Sequence, residues 1–263
     1  MHNFEFVKPA SIGDAVKALA SAGAQPLSGG QTLIATMKQR LADPSVLVSL
    51  TGIAEMQGVC TGDDGGLHVG GATPHAVVAR DAAKLYPALA KLAGGIGDPA
   101  VRNRGTIGGS LANNDPAACY PAGALASAAT IVTNKRRIAA DDYFQGMFTT
   151  ALDAGEIITS VIFPVPEKAA YVKFDQPASR FALTAVFVAK HASGVRVAVT
   201  GASNGGVFRW TAAEQALSAN FTASALAGLV VDAKDMIADL HGTPAYRANL
   251  VKVLTGRAVT AAA

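Results

Sequence analysis

Two short stretches of the chain combine residue types that can hold a negatively charged group through backbone and hydroxyl donors. The longer is Arg102-Asn103-Arg104-Gly105-Thr106-Ile107-Gly108-Gly109-Ser110, continuing through Leu111-Ala112-Asn113-Asn114-Asp115-Pro116. The glycines at 105, 108 and 109 remove the Cβ atoms that would keep the backbone away from a ligand. Thr106 and Ser110 add hydroxyls, and Arg102 and Arg104 add positive charge nearby. Several convergent N–H and O–H donors in a concave backbone nest are what a diphosphate requires. Ser28-Gly29-Gly30-Gln31-Thr32 repeats the same chemistry far earlier in the chain. One Gly-Gly pair is usually only a tight turn. Two pairs flanked by Ser, Thr and Gln predict a diphosphate gripped from two sides.

Neither stretch matches the usual nucleotide fingerprints. Gly29-Gly30 is not followed by the Gly-Lys-Ser/Thr of a P-loop. Gly94-Gly95-Ile96-Gly97 lacks the spacing of a dinucleotide-binding turn and follows a helical pattern instead of a strand. A nicotinamide-binding Rossmann domain is therefore not expected.

The elements that must position these loops read as a mixture of short strands and helices. Phe4 to Val7 is a strand, and Ser11-Ile12-Gly13-Asp14 resembles a capping box with Asp in place of Glu. It opens a helix with Ala15, Leu19 and Ala22 on one face. Pro26-Leu27-Ser28 enters the first glycine loop as a strand end, and Val46 to Leu50 is a second clear strand. Such a β-α-β lobe cannot bury enough surface alone. Leu67 to Gly70 is a strand, and Tyr86 to Ala93 is a helix ended by Gly94-Gly95. An Ala-rich helix follows Pro121. Ile131 to Thr133, Arg137 to Ala139 and Ile157 to Phe163 read as strands of one sheet. The ligand would lie between this lobe and the first.

Phe163-Pro164-Val165-Pro166-Glu167 is the predicted domain boundary, because the two prolines interrupt any helix or strand. Beyond it, Tyr171 to Asp175, Leu183 to His191 and Val195 to Thr200 read as strands. Ala212 to Leu217, Ala223 to Leu240 and Pro244 to Leu254 read as helices, and Phe208 and Trp210 as core. The expected class is α+β: a two-lobed domain over 1–165 (lobes 1–53 and 54–165), then a small antiparallel sheet with a helical layer over 166–263.

Composition narrows the function classes. The chain has 263 residues, 50% hydrophobic and 16% charged, which suits a compact fold with a sizeable core. A net charge of +3 is too small to argue for nucleic acid. The one basic run, Lys135-Arg136-Arg137, reads as a solvated hairpin turn. The longest apolar run, near Pro121 to Val132, is too short to span a bilayer, and no signal peptide is visible after Met1, so a cytoplasmic location is expected. Cys60 and Cys119 supply neither a disulfide framework nor the four thiolates of an iron–sulfur cluster. His2, His68, His75, His191 and His241 have no metal-ligand spacing and read as surface or locally satisfied residues.

At this point four motifs in order carry a family resemblance. Ser28-Gly29-Gly30-Gln31-Thr32-Leu33-Ile34, followed by Met37-Lys38-Gln39-Arg40-Leu41 and Pro44, resembles the first FAD loop of the flavoprotein subunits of molybdenum hydroxylases. The Arg102 to Pro116 block resembles their second FAD loop. Glu156 to Val161 resembles the strand closing their PCMH-type flavin domain, and Tyr171-Val172-Lys173-Phe174 the start of their C-terminal domain. The family comprises the medium chains of carbon monoxide dehydrogenase, xanthine dehydrogenase and related hydroxylases. The resemblance implies non-covalent FAD held by Leu27 to Ile34 and by Thr106, Ile107, Gly108, Gly109 and Ser110. It further implies Ile96 and Ile158 against the flavin rings, and Asn113, Asp115, Cys119 and Lys173 near the cofactor. Cys119 stands where the family usually has a second Asp, and Asn113 where it usually has His.

The same resemblance implies an electron relay within a complex. A large molybdenum-cofactor subunit would oxidise substrate, and a small [2Fe–2S] subunit would pass electrons to FAD in this chain, in a dimer of heterotrimers. Charge-assisted hydrogen bonds of roughly 1.5–3 kcal/mol each suffice for retaining the cofactor. Two other readings compete: a stand-alone flavin reductase or oxidase of the same superfamily, and a flavin-free scaffolding subunit.

Overall fold

The computed structural model describes residues 1–262. The chain opens with β1 (Glu5–Val7), α1 (Ile12–Leu19), β2 (Ala24–Leu27), α2 (Leu33–Lys38) and β3 (Val46–Ser49). Ser11 caps α1 by accepting from the Asp14 N–H at 3.1 Å, while its hydroxyl donates to the Asp14 carboxylate at 2.7 Å. The three strands form a parallel sheet in the order β1-β3-β2. Ala15, Leu19 and Val48 pack there with Ala72 and Ile157 from later in the chain, so the lobe completes its core with borrowed side chains.

The second lobe holds β4 (Val59–Thr61), β5 (Leu67–Gly70), α3 (His75–Asp81), α4 (Pro87–Gly94), α5 (Pro99–Arg102), α6 (Ile107–Asn113) and α7 (Tyr120–Ala126). Then come β6 (Thr130–Thr133), β7 (Arg137–Ala139), α8 (Ala140–Tyr143), the hairpin β8 (Phe144–Gly146) and β9 (Thr149–Thr150), and β10 (Ile158–Phe163). The order β4-β5-β10-β6-β7 puts the three strands expected after the Ala-rich helix in one antiparallel sheet. α6 was not expected from the sequence. Thr106 caps it, accepting from the Gly109 N–H at 3.2 Å, so the second glycine stretch is the first turn of a helix.

β11 (Lys168–Asp175), β12 (Ala182–His191), β13 (Gly194–Thr200) and β14 (Phe208–Arg209) form an antiparallel sheet, followed by α9 (Thr211–Ala219) and α10 (Pro244–Ala262). β12 is apolar on both faces. Ala185, Phe187 and Ala189 join the core of the preceding lobe, whereas Val186 and Val188 pack among Val251, Leu254 and Ala258 of α10. A strand covered on both sides reads as a continuous apolar run instead of an alternation.

Three expectations need correction. The predicted helix over Ala223–Leu240 is only a 3₁₀ turn at Ala223–Leu226 followed by irregular chain. Gly228 and the β-branched pair Val230-Val231 weaken a helix there. The segment instead ties to the sheet end, with the Ile237 N–H donating to Ala202 O at 2.8 Å. The basic turn is not merely solvated, because Arg136 reaches the buried Glu156 carboxylate at 3.0 Å. Finally, His75 is neither surface-exposed nor locally satisfied: it is buried, with Nδ1 lacking a partner.

Candidate functional site

The two glycine stretches meet across the lobes. A Cβ on Gly29 would run into Arg104 O and would lie 2.5 Å from Gly105 Cα, so glycine there lets one loop rest on the other. The Ser28 and Thr106 hydroxyls join at 2.7 Å. Along this seam runs a cleft of about 1080 Å³, large beside the roughly 300–1,000 Å³ of ordinary small-molecule pockets. Its lining comes from both lobes and the β11–β12 connection.

The first loop offers free donors. Gly30 sits at φ +70°, a left-handed conformation that turns successive amides toward one side. The N–H groups of Gly29, Gly30, Gln31 and Thr32 have no acceptor among the described residues. The second loop differs. Ile107 N–H donates to Thr73 O, Gly108 N–H to Gly71 O, Gly109 N–H to Thr106 Oγ1 and Ser110 N–H to Thr106 O. Its backbone is spoken for, and what it turns to the cleft is hydroxyls and the open flank of Gly109. A Cβ on Gly109 would meet Thr106 Oγ1 at 3.1 Å and Ser28 Cβ at 3.7 Å.

Of the residues singled out in the sequence, Leu27, Ser28, Gly29, Gly30, Gln31, Thr32, Leu33, Ile96, Thr106, Gly108, Gly109, Ser110, Asn113, Asp115, Cys119 and Ile158 line the cleft. Three do not. Ile34 packs with Leu27, Met37 and Leu47 beneath the first loop, and Ile107 is fully buried in the second lobe's core. Lys173 lies behind the wall: its Nζ donates to Gly95 O at 2.6 Å and Arg180 O at 2.9 Å, and pairs with Asp175 at 2.7 Å. It fastens the turn after α4 to the β11–β12 loop, whose Ser179, Arg180 and Phe181 reach the cleft. Arg102 holds the same turn from the other side, donating to Ile96 O and Gly97 O at 3.1 and 2.8 Å.

Charged and polar groups around the cleft are mostly committed. Burial pushes the Glu156 carboxyl up, but Arg136, the Asp153 N–H and the Thr133 hydroxyl outweigh it and hold the pKa down to about 2. Asp115 accepts from the Ala117 N–H at 2.8 Å. Burial raises the Cys119 thiol, against the pull of Lys173 and Tyr171. Cys60 is exposed on β4, and neither cysteine forms a disulfide. Among the described residues no group of three His, Cys, Asp or Glu could hold a metal ion. His75 was missed by sequence reasoning; the absence of a Cβ at Gly105, where one would lie 2.6 Å from His75 Nε2, is its sequence trace.

These residues fit a flavin dinucleotide. Unpaired amides and hydroxyls suit a diphosphate, and Ile96 and Ile158 give apolar surface for flat rings. Comparison with known proteins agrees. The family described as FAD binding domain in molybdopterin dehydrogenase matches residues 2–166. The chain is 35% identical to the carbon monoxide dehydrogenase medium chain of Afipia carboxidovorans, covering 98% of this chain and 96% of that one. It is equally 35% identical, with the same coverage, to the nicotine 6-hydroxylase medium subunit of Paenarthrobacter nicotinovorans. Among solved structures, reconstituted CO dehydrogenase from Oligotropha carboxidovorans superposes with a TM-score of 0.90 at 30% identity, covering 99% of this chain and 98% of that chain. With FAD as its cofactor, the chain belongs to the family of FAD-binding medium subunits of the molybdenum hydroxylases.

Proposed function

We propose that the chain relays electrons from [2Fe–2S] clusters of a small subunit to an external acceptor, the electrons having come from a large molybdenum-cofactor subunit. The observation that carries this is the seam between the lobes: a cleft lined by both glycine stretches, in a chain that spans nearly the full length of medium subunits. When bound, FAD supplies the redox chemistry, and the protein supplies binding, orientation and electrostatics. The amides of Gly29 to Thr32 and the hydroxyls of Ser28, Thr106 and Ser110 would hold the diphosphate. Ile96 and Ile158 would flank the rings, with Asn113, Asp115 and Cys119 beside them. Ile34, Ile107 and Lys173 would act one layer out, fixing the loops that make contact.

The working unit would be a dimer of heterotrimers in the cytoplasm, and no helix among the described residues is long and apolar enough to cross a membrane. The chain would divide into 1–165 and 166–263, with Pro164 and Pro166 between β10 and β11. Purification from the host under mild salt tests the reading. The chain should emerge with two further subunits and the spectrum of flavin over iron–sulfur absorption. Recovery as a lone chain that turns over substrate without molybdenum or iron would reject the relay.

A further inference from the structure

His75 opens α3 directly beneath the second glycine stretch, its main-chain N–H donating to Gly105 O at 2.9 Å. The residue is 4% exposed, its imidazole packs against Tyr120 with ring centroids 5.3 Å apart, and it lines the same cleft as Ile96, Gly97 and Thr106. Nδ1 is buried with no partner. Nε2 lies against Gly105, in space that only a glycine leaves open. Neutral imidazole carries one proton, on either nitrogen. A buried N–H without an acceptor is rarer than a lone pair without a donor, so the proton belongs on Nε2. Burial, helped by the Arg102 guanidinium, lowers the pKa to about 4, which keeps the ring neutral at ordinary pH.

The cleft therefore has a nest of several convergent amides and a single imidazole donor in different places. The free amides of Gly29 to Thr32 belong to the first lobe and suit the diphosphate. The imidazole belongs to the second lobe, near Arg102, whose guanidinium donates to Ile96 O and Gly97 O, and it lines the same cleft as Ile96. A neutral donor in that position matches a neutral acceptor, such as a ribityl hydroxyl or a ring carbonyl. We infer that His75 binds the cofactor, donating a hydrogen bond from Nε2 to the flavin half of FAD and not to its adenosine diphosphate half.

This inference rests on FAD occupying the cleft, and titrations on the full-length apoprotein separate the two. His75→Phe keeps an aromatic ring against Tyr120 and removes the donor. FAD and FMN should each bind roughly ten-fold more weakly, a loss of about 1.4 kcal/mol, while ADP binds within two-fold of the parent. FAD affinity within two-fold of the parent would overturn the inference, as would ADP weakened as much as FAD. Should the Phe variant fail to fold, ¹⁵N spectra of the unaltered chain decide. They should show Nε2 protonated and its resonance moved by FAD but not by ADP; a resonance that FAD leaves unmoved overturns it. Failure of the unaltered chain to bind FAD would strike the cofactor site itself, and this inference with it.

Discussion

The two glycine stretches look alike in sequence and work differently in the fold. The first keeps the amides of Gly29, Gly30, Gln31 and Thr32 free, so its backbone has donors left to offer a ligand. The second spends the amides of Ile107 to Ser110 on Thr73, Gly71 and its own cap, so its backbone builds the wall. Within each stretch the glycines also divide. Gly29 and Gly108 exist for protein–protein closeness, since their Cβ atoms would strike Arg104 and Gly71. Gly30 supplies a left-handed turn, and Gly109 leaves room in the cleft. Glycine in a binding loop is thus ambiguous until its neighbour is known.

Substitutions can break this division, and the largest effect should come from Gly29→Ala. Its methyl would collide with backbone, which cannot rotate away as a side chain can. Overpacking costs typically about 1–3 kcal/mol, and a clash with backbone belongs at the upper end, about 3 kcal/mol. The melting temperature of the apoprotein should fall by roughly 6–12 °C, and FAD binding should be lost with the seam. An unchanged melting temperature would show that the loops do not rest on each other.

Gly109→Val comes next and should act on the ligand alone. The new side chain would enter the cleft toward Ser28, where only Thr106 Oγ1 is close. The protein should stay folded by circular dichroism yet purify colourless. Full flavin occupancy would remove the second stretch from the diphosphate site.

How far the site could be read from the sequence follows from the same contrast. Ser28 to Thr32 was legible because its chemistry is local: the residues that turn the chain are the ones that present the donors. The second stretch was only half legible. Its glycines marked it, but the helix they begin and the partners that consume its amides lie at Gly71 and Thr73, which no spacing announces. His75 was invisible for a related reason, since it packs against a glycine that follows it only after three helices, α3 to α5. Lys173 was placed near the flavin by motif, whereas its bonds to Gly95 and Arg180 make it a fastener. In the fold, Val46–Ser49 and Leu67–Gly70 were plain from short apolar or alternating stretches, but Ala223–Leu240 was misread because alanine content mimics a helix that Gly228 and Val230-Val231 do not sustain.

Thr106→Val should give a smaller, mixed effect, because this hydroxyl serves both functions. It caps α6 and meets Ser28. Loss of a cap costs about 1 kcal/mol, so stability and FAD affinity should both drop modestly, by several-fold in affinity. Thermal melts with and without FAD would separate the two contributions. A change in affinity with no change in the apoprotein melt would deny the capping role.

Ser28→Ala is the finest probe, since it removes one hydroxyl and leaves every backbone element in place. Thr106 Oγ1 still accepts from the Gly109 N–H, so α6 keeps its cap. What goes is the link across the seam and one donor beside the free amides. A net hydrogen bond contributes about 0.5–1.5 kcal/mol, so FAD should bind roughly two- to ten-fold more weakly while the apoprotein melt moves little. If the first stretch binds through its backbone, as its unpaired amides indicate, this loss must stay below that of Gly109→Val. A Ser28→Ala chain that loses FAD altogether would reverse the assignment, making the hydroxyl the principal anchor and the amides incidental.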